Sequence, residues 1–118
     1  MDIKGMVLSL FIIVSLVGIN SLGRFYIDEP LRVGQESEMY FTVRNPSNID
    51  LDDVNVKMYI YDLGLMINSN SFDINDGDHK FARINWYVPN IKKGTYLTKI
   101  SVGNDYYRDV EHVYLSII

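Results

Sequence analysis

Past Arg24 the chain keeps a two-residue rhythm of apolar and polar side chains, and this rhythm constrains the fold more than any other property of the sequence. A strand turns successive side chains to opposite faces, so sustained alternation means one face buried and the other wet. Over 54–61 the rhythm is clearest: Val54, Val56, Met58 and Ile60 fall on one side, and Asn55, Lys57, Tyr59 and Tyr61 on the other. Met39, Phe41 and Val43 repeat it within 38–44, and Ala82, Ile84, Trp86 and Val88 within 80–88. Tyr96, Thr98, Ile100 and Val102 share one side of 96–102, and Val113, Leu115 and Ile117 one side of 112–117. Two weaker stretches, 24–27 and 63–68, bring the expected number to about seven.

Turn chemistry separates these runs. Asp28-Glu29-Pro30, Asn45-Pro46-Ser47-Asn48, Asn75-Asp76-Gly77-Asp78, Pro89-Asn90, Lys92-Lys93-Gly94 and Gly103-Asn104-Asp105 all join residues that fix φ or tolerate a left-handed backbone. Strands recurring at about ten-residue spacing, with turns between them, predict an all-β antiparallel sandwich. The stretch 69–78 is polar and reads as loop. No segment after Arg24 sustains a helical period.

The N-terminus obeys a different rule. Met6 to Ile19 is apolar on every side and uncharged. As a helix it would extend about 21 Å at 1.5 Å per residue, short of the ~30 Å hydrocarbon core of a bilayer. Lys4 gives it a thin positive start, and Ser21-Leu22-Gly23 offers small residues for cleavage before Arg24. Two readings stay open: a cleaved signal peptide, or a transmembrane anchor retained through residues 6–22. The expectation is one N-terminal apolar helix over 1–23 ahead of a single domain over 24–118. Either reading places that domain outside the cytoplasm, secreted or anchored at the cell surface.

Composition narrows the function classes. The 118 residues carry 11 Lys and Arg against 15 Asp and Glu, a net charge of −4, with the signs interspersed. Phosphate-backbone binding needs a clustered basic face, so no nucleic-acid partner is expected. Cysteine is absent, which removes disulfides, thiolate nucleophiles and cysteine-bound metals.

Several landmarks, in order, carry a family resemblance. Val33-Gly34-Gln35-Glu36 precedes a strand, and Thr42-Val-Arg-Asn-Pro-Ser-Asn48 closes it. Leu51-Asp-Asp-Val-Asn-Val56 opens the next, Gly94-Thr95-Tyr96 opens a late strand, and the chain ends on Asn104 to Ile117. From Leu31 to Ile118 this order resembles the CARDB-like and related immunoglobulin-like domains of archaeal and bacterial surface proteins. Pro46-Ser47-Asn48 stands where those domains usually bear a glycine turn. The resemblance implies an immunoglobulin-like β-sandwich acting as an extracellular adhesive or scaffolding module, with no catalytic residues to carry over. Tyr96 falls where a tyrosine corner would lie, its ring in the core and its hydroxyl on nearby backbone.

Chemistry has few candidates. His79 and His112 lie far apart in sequence, and no nucleophile elbow, phosphate loop or His-Glu-x-x-His motif occurs. Asp73, Asn75, Asp76 and Asp78 gather oxygen ligands suited to Ca²⁺, but Gly77 breaks the EF-hand register and no closing Glu follows. Asx turns explain the same residues. No enzyme and no cofactor is expected. The feature above background is aromatic: if 54–61, 96–102 and 112–117 share a sheet, Tyr59, Tyr61, Leu97, His112 and Tyr114 point outward together. Tyrosine offers contact area with few rotors and a polar tip. The expected function is therefore contact, through a protein partner or self-association, in cell-surface structure, adhesion or assembly. A carbohydrate-binding module and an accessory subunit of a membrane complex are the alternatives.

Overall fold

The computed structural model describes residues 11–14, 23–27, 29–45 and 47–118. Nine strands occur among them: β1 (Phe11–Val14), β2 (Gly23–Ile27), β3 (Glu36–Arg44), β4 (Leu51–Ile60), β5 (Leu65–Asn68), β6 (Phe72–Ile74), β7 (His79–Tyr87), β8 (Gly94–Gly103) and β9 (Arg108–Ile117). A single 3₁₀ turn, Tyr61–Leu63, joins β4 to β5. One sheet has the order β1-β2-β3-β7; the other runs β5-β4-β8-β9, with β6 also paired to β4. All the strand pairs are antiparallel.

Alternation builds the interior. Phe25 and Ile27 of β2, Met39, Phe41 and Val43 of β3, and Ala82, Ile84 and Trp86 of β7 are buried beneath the first sheet. From the second sheet they meet Val54, Val56, Met58 and Ile60 of β4, with Ile100 and Val102 of β8 and Val113, Leu115 and Ile117 of β9. Every residue the rhythm turns inward on β3, β4 and β7 is buried. Phe25 and Phe41 stack at the centre, ring centroids 4.7 Å apart. Burying side chains of this size stabilises by about 1.5–3 kcal/mol each before ordering entropy is charged against it.

The chain changes sheets after β2. Ile27 pairs with Met39 in the first sheet, whereas Leu31 bridges Ile117 in parallel on the second. Pro30 sits between them, where its fixed φ and missing N–H suit a break in pairing. Val33 N–H then donates to the Ile118 carbonyl at 3.0 Å, and Ile118 N–H to that of Leu31 at 2.8 Å. These contacts tie the last strand to the segment that enters the first long one.

Three local expectations are corrected. The stretch 69–78 is not all loop, because Phe72–Ile74 adds a short strand against β4 across a bulge between Leu51 and Val54. Asp53 in that bulge takes φ 56°, and its N–H is satisfied by Asp73 Oδ1 at 3.1 Å. Tyr61 begins the 3₁₀ turn instead of ending a strand. Within the apolar N-terminus, Phe11–Val14 pairs with Gly23–Tyr26 as a strand, not a helical turn. Ile12, Ile13 and Val14 are β-branched and strand-favouring, and the exposed edge of β2 offers them backbone partners. The rest of the expected helix, with Ser21 and Leu22, lies outside the described residues, whereas Gly23 and Arg24, which flank the expected cleavage, belong to β2. Among the described residues no helix is long and apolar enough to cross a membrane.

Candidate functional site

Register places the outward aromatic residues. Tyr59 of β4 pairs with Lys99 of β8, which pairs with His112 of β9; on the other side Tyr59 pairs with Met66 of β5. One step along, Leu97 pairs with Tyr114, and Tyr61 follows Ile60 at the end of β4. The five residues singled out from the sequence therefore share the outer face of the second sheet.

Their side chains interlock. Tyr59 and Tyr61 meet edge to face with centroids 5.2 Å apart. Tyr61 stacks on His112 at 5.9 Å with 14° between the rings. The Tyr61 hydroxyl and His112 Nε2 are hydrogen-bonded at 2.9 Å, reaching across the intervening β8. Such ring pairs add about 0.5–1.5 kcal/mol beyond area burial and hold the rings in one arrangement. Tyr114 remains 65% exposed. Met66 and Val110 extend the patch, both about half exposed. Sequence reasoning missed these two; Val110 was within reach, lying two residues before His112 on the same strand.

Polar groups frame the patch. Lys57, Lys99 and Arg108 lie on this face, and among the described residues the acidic side chains of β4, Asp52 and Asp53, are confined to the bulged start of that strand, away from the aromatic patch. Arg108 binds Ser101 Oγ through Nε at 2.7 Å, the Gly103 carbonyl through Nη1 at 3.0 Å, and Asn55 Oδ1 through Nη2 at 3.1 Å. Burial lowers its pKa from the ordinary guanidinium value, and Asp105 partly opposes that. The guanidinium thus clamps β4, β8 and β9 together at one end of the face.

The remaining candidates lie elsewhere. His79 ends the other sheet, paired with Arg44, so the two histidines do not meet. Asp73 accepts the Asp53 N–H, Asp78 Oδ1 accepts the His79 N–H at 2.8 Å, and the Asn75 carbonyl accepts the Asp78 N–H at 3.0 Å. The Asp76 N–H donates to Asp50 Oδ1 at 2.9 Å. Among the described residues, no group of three or more acidic or histidine side chains is placed to hold a metal ion. Asp109 lies on the inner face of β9 opposite Val102, where burial raises its carboxyl above the ordinary range. It borders a cleft of about 240 Å³ between the sheets, beside Val43, Val54 and Ile74.

Two packed antiparallel sheets, with the segment after β2 bridging to the last strand, define an immunoglobulin-like sandwich. Its fold is CARDB-like. The CARDB domain of the PF1109 protein from Pyrococcus furiosus, solved in complex with di-metal ions, superposes with a TM-score of 0.61 at 18% identity, covering 80% of this chain and 84% of that one. The chain is also similar to part of the alkylpurine DNA glycosylase AlkC of Pseudomonas fluorescens, bound to DNA, with a TM-score of 0.57, 10% identity, and 86% and 32% of the two chains covered. A family 123 glycoside hydrolase from Clostridium perfringens gives 0.54 at 16% identity, over 75% of this chain and 22% of the other. At such identities the likeness concerns the fold alone. No family model and no curated protein matches the chain.

Proposed function

We propose that this chain is a non-catalytic, extracytoplasmic immunoglobulin-like module that works by contact, in cell-surface structure, adhesion or protein assembly. The observation carrying this reading is the interlocked outer face of the second sheet: Tyr59, Tyr61 and His112 fixed against one another, with Leu97 and Tyr114 exposed beside them. A face already ordered before binding loses little side-chain entropy on docking. Aromatic groups with a cationic rim of Lys57 and Lys99 suit a protein partner that presents apolar side chains and carboxylates. The apolar segment ahead of Arg24 supports export, and the resemblance to CARDB-like domains supports a contact role over chemistry.

Photo-crosslinking in the cells that make the chain tests this. A photoreactive residue at position 114 is expected to yield discrete protein adducts, and one at Lys93 none. An impermeant amine label applied to intact cells is expected to reach Lys92 and Lys93. Absence of adducts at 114, or protection of both lysines until lysis, would overturn the proposal.

A further inference from the structure

The other sheet carries a second surface of different character. Where β7 forms its edge, the segment after β5 comes alongside and encloses an open cleft of about 570 Å³. Its walls include Asn68, Asn70, Asn85, Phe81, Arg83 and Tyr40. The volume lies within the range of about 300–1,000 Å³ usual for small-molecule sites.

Local hydrogen bonds fix the cleft's wall. Ser69 Oγ accepts the Val56 N–H at 2.9 Å and donates to the Asn70 carbonyl at 2.8 Å. Asn70 Oδ1 accepts the Arg83 N–H of β7 at 2.9 Å. Only the amide oxygen can accept that proton, so the orientation of the Asn70 amide is determined, and its Nδ2 is left as a donor with no protein acceptor among the described residues. The side-chain amides of Asn68 and Asn85 make no hydrogen bond among the described residues either. Beside these three amides Phe81 is 66% exposed, an apolar ring on an otherwise polar wall.

Charge decides the ligand class. Arg83 Nε lies 3.4 Å from Glu38 Oε2, and its guanidinium sits 5.7 Å from the centre of the Tyr40 ring. The Tyr40 hydroxyl in turn donates to Glu38. The cleft's cation is therefore balanced, which removes the main attraction for a phosphate or carboxylate. What remains is a flat apolar surface next to three amides: Asn68 and Asn85 each offer one acceptor and two donors, and Asn70, oriented by the Arg83 N–H, offers the donors on Nδ2. That set complements a ring with an apolar C–H face and hydroxyls around its rim.

We infer that this cleft binds a neutral saccharide, a mono- or disaccharide unit stacked on Phe81 and hydrogen-bonded through Asn68, Asn70 and Asn85. The site lies mainly on the first sheet, with Asn68 at the β5 edge of the second, and does not rest on the protein-contact reading. Titration of the ¹⁵N-labelled full chain with cellobiose, diacetylchitobiose and mannobiose, followed by NMR, tests it. The side-chain amide signals of Asn68, Asn70 and Asn85 are expected to shift with at least one probe, saturating at millimolar concentration. Phe81→Ala and Asn70→Asp are each expected to weaken that binding about tenfold. The Asn70→Asp variant keeps an oxygen for the Arg83 N–H and replaces the Nδ2 donor with a charged acceptor; unchanged backbone spectra away from the cleft verify folding for both. Silence of the three amides with every probe, or equal affinity in both variants and the parent, would refute the assignment.

Discussion

At the scale of single residues, backbone geometry and buried polar atoms set the sharpest expectations. Gly103 has φ 146°, and a Cβ built there would lie 1.9 Å from the Tyr107 carbonyl oxygen and 2.8 Å from the Arg108 Cα. Both obstacles are backbone, so neither can swing aside. Gly103→Ala is expected to cost at least about 2 kcal/mol in chemical denaturation. Gly64→Ala, at φ 59° with nothing within 4 Å of the added carbon, is expected to cost about 1 kcal/mol. Tyr96 is almost buried, and its hydroxyl donates to the Lys92 carbonyl. Tyr96→Phe removes that bond and should lower stability by about 1 kcal/mol. Asp109 titrates in the opposite sense to a salt-bridged carboxylate. Burial raises its folded pKa, so the charged form costs stability above that pKa, and the cost disappears below the unfolded value of about 3.9. Asp109→Asn is expected to raise Tm slightly at neutral pH, with the difference from the parent vanishing as pH falls through the carboxylate range.

At the scale of elements, Arg108 shows what side-chain type contributes beyond charge. Its planar fork serves oxygens on β4 and β8 from a position on β9, and among the described residues no carboxylate is hydrogen-bonded to it. Lysine has a single donor centre and cannot occupy those positions together. Arg108→Lys is expected to destabilise by about 1–3 kcal/mol by thermal or chemical denaturation. The long strands were legible because β3, β4 and β7 each alternate a buried and an outward side chain from Met39, Val54 and Ala82 onward. β6 was not, because three residues in a polar stretch display no period. β1 was illegible for the opposite reason: a segment apolar on all sides has no face to read, and only the partner edge of β2 decides its state. The tyrosine face could be foreseen from the alternation, but its lock could not. Tyr61 and His112 stand 51 positions apart, and their contact depends on both strands sharing β8 as neighbour. The saccharide cleft was hidden for the same reason, since Asn70 lies in a loop whose position beside β7 no local pattern announces.

At the scale of the whole molecule, the described core comes from β2 to β9. Phe25 and Ile27 are the first of its described side chains, and among the described residues β1 pairs with β2 alone. β1 stands at the edge of its sheet, and a folding unit that begins at or near Arg24 is the expectation to test. A chain starting at Arg24 retains the pairing of β2 with β3 from Arg24–Thr42 to Ile27–Met39, losing only Gly23 opposite Val43. It should melt in a single cooperative transition, with Tm lower by no more than about 4–8 °C, the shift expected for ~1 kcal/mol in a domain of this size. The edge of β2 exposed in this way is short and begins with a charged residue, both of which oppose strand-to-strand aggregation, so the shortened chain should sediment as the parent domain does. Loss of the cooperative transition would mean that β1 stabilises the fold and that the domain starts upstream of Arg24. Retention of the melt with new self-association would show instead that β1 serves to cover the β2 edge.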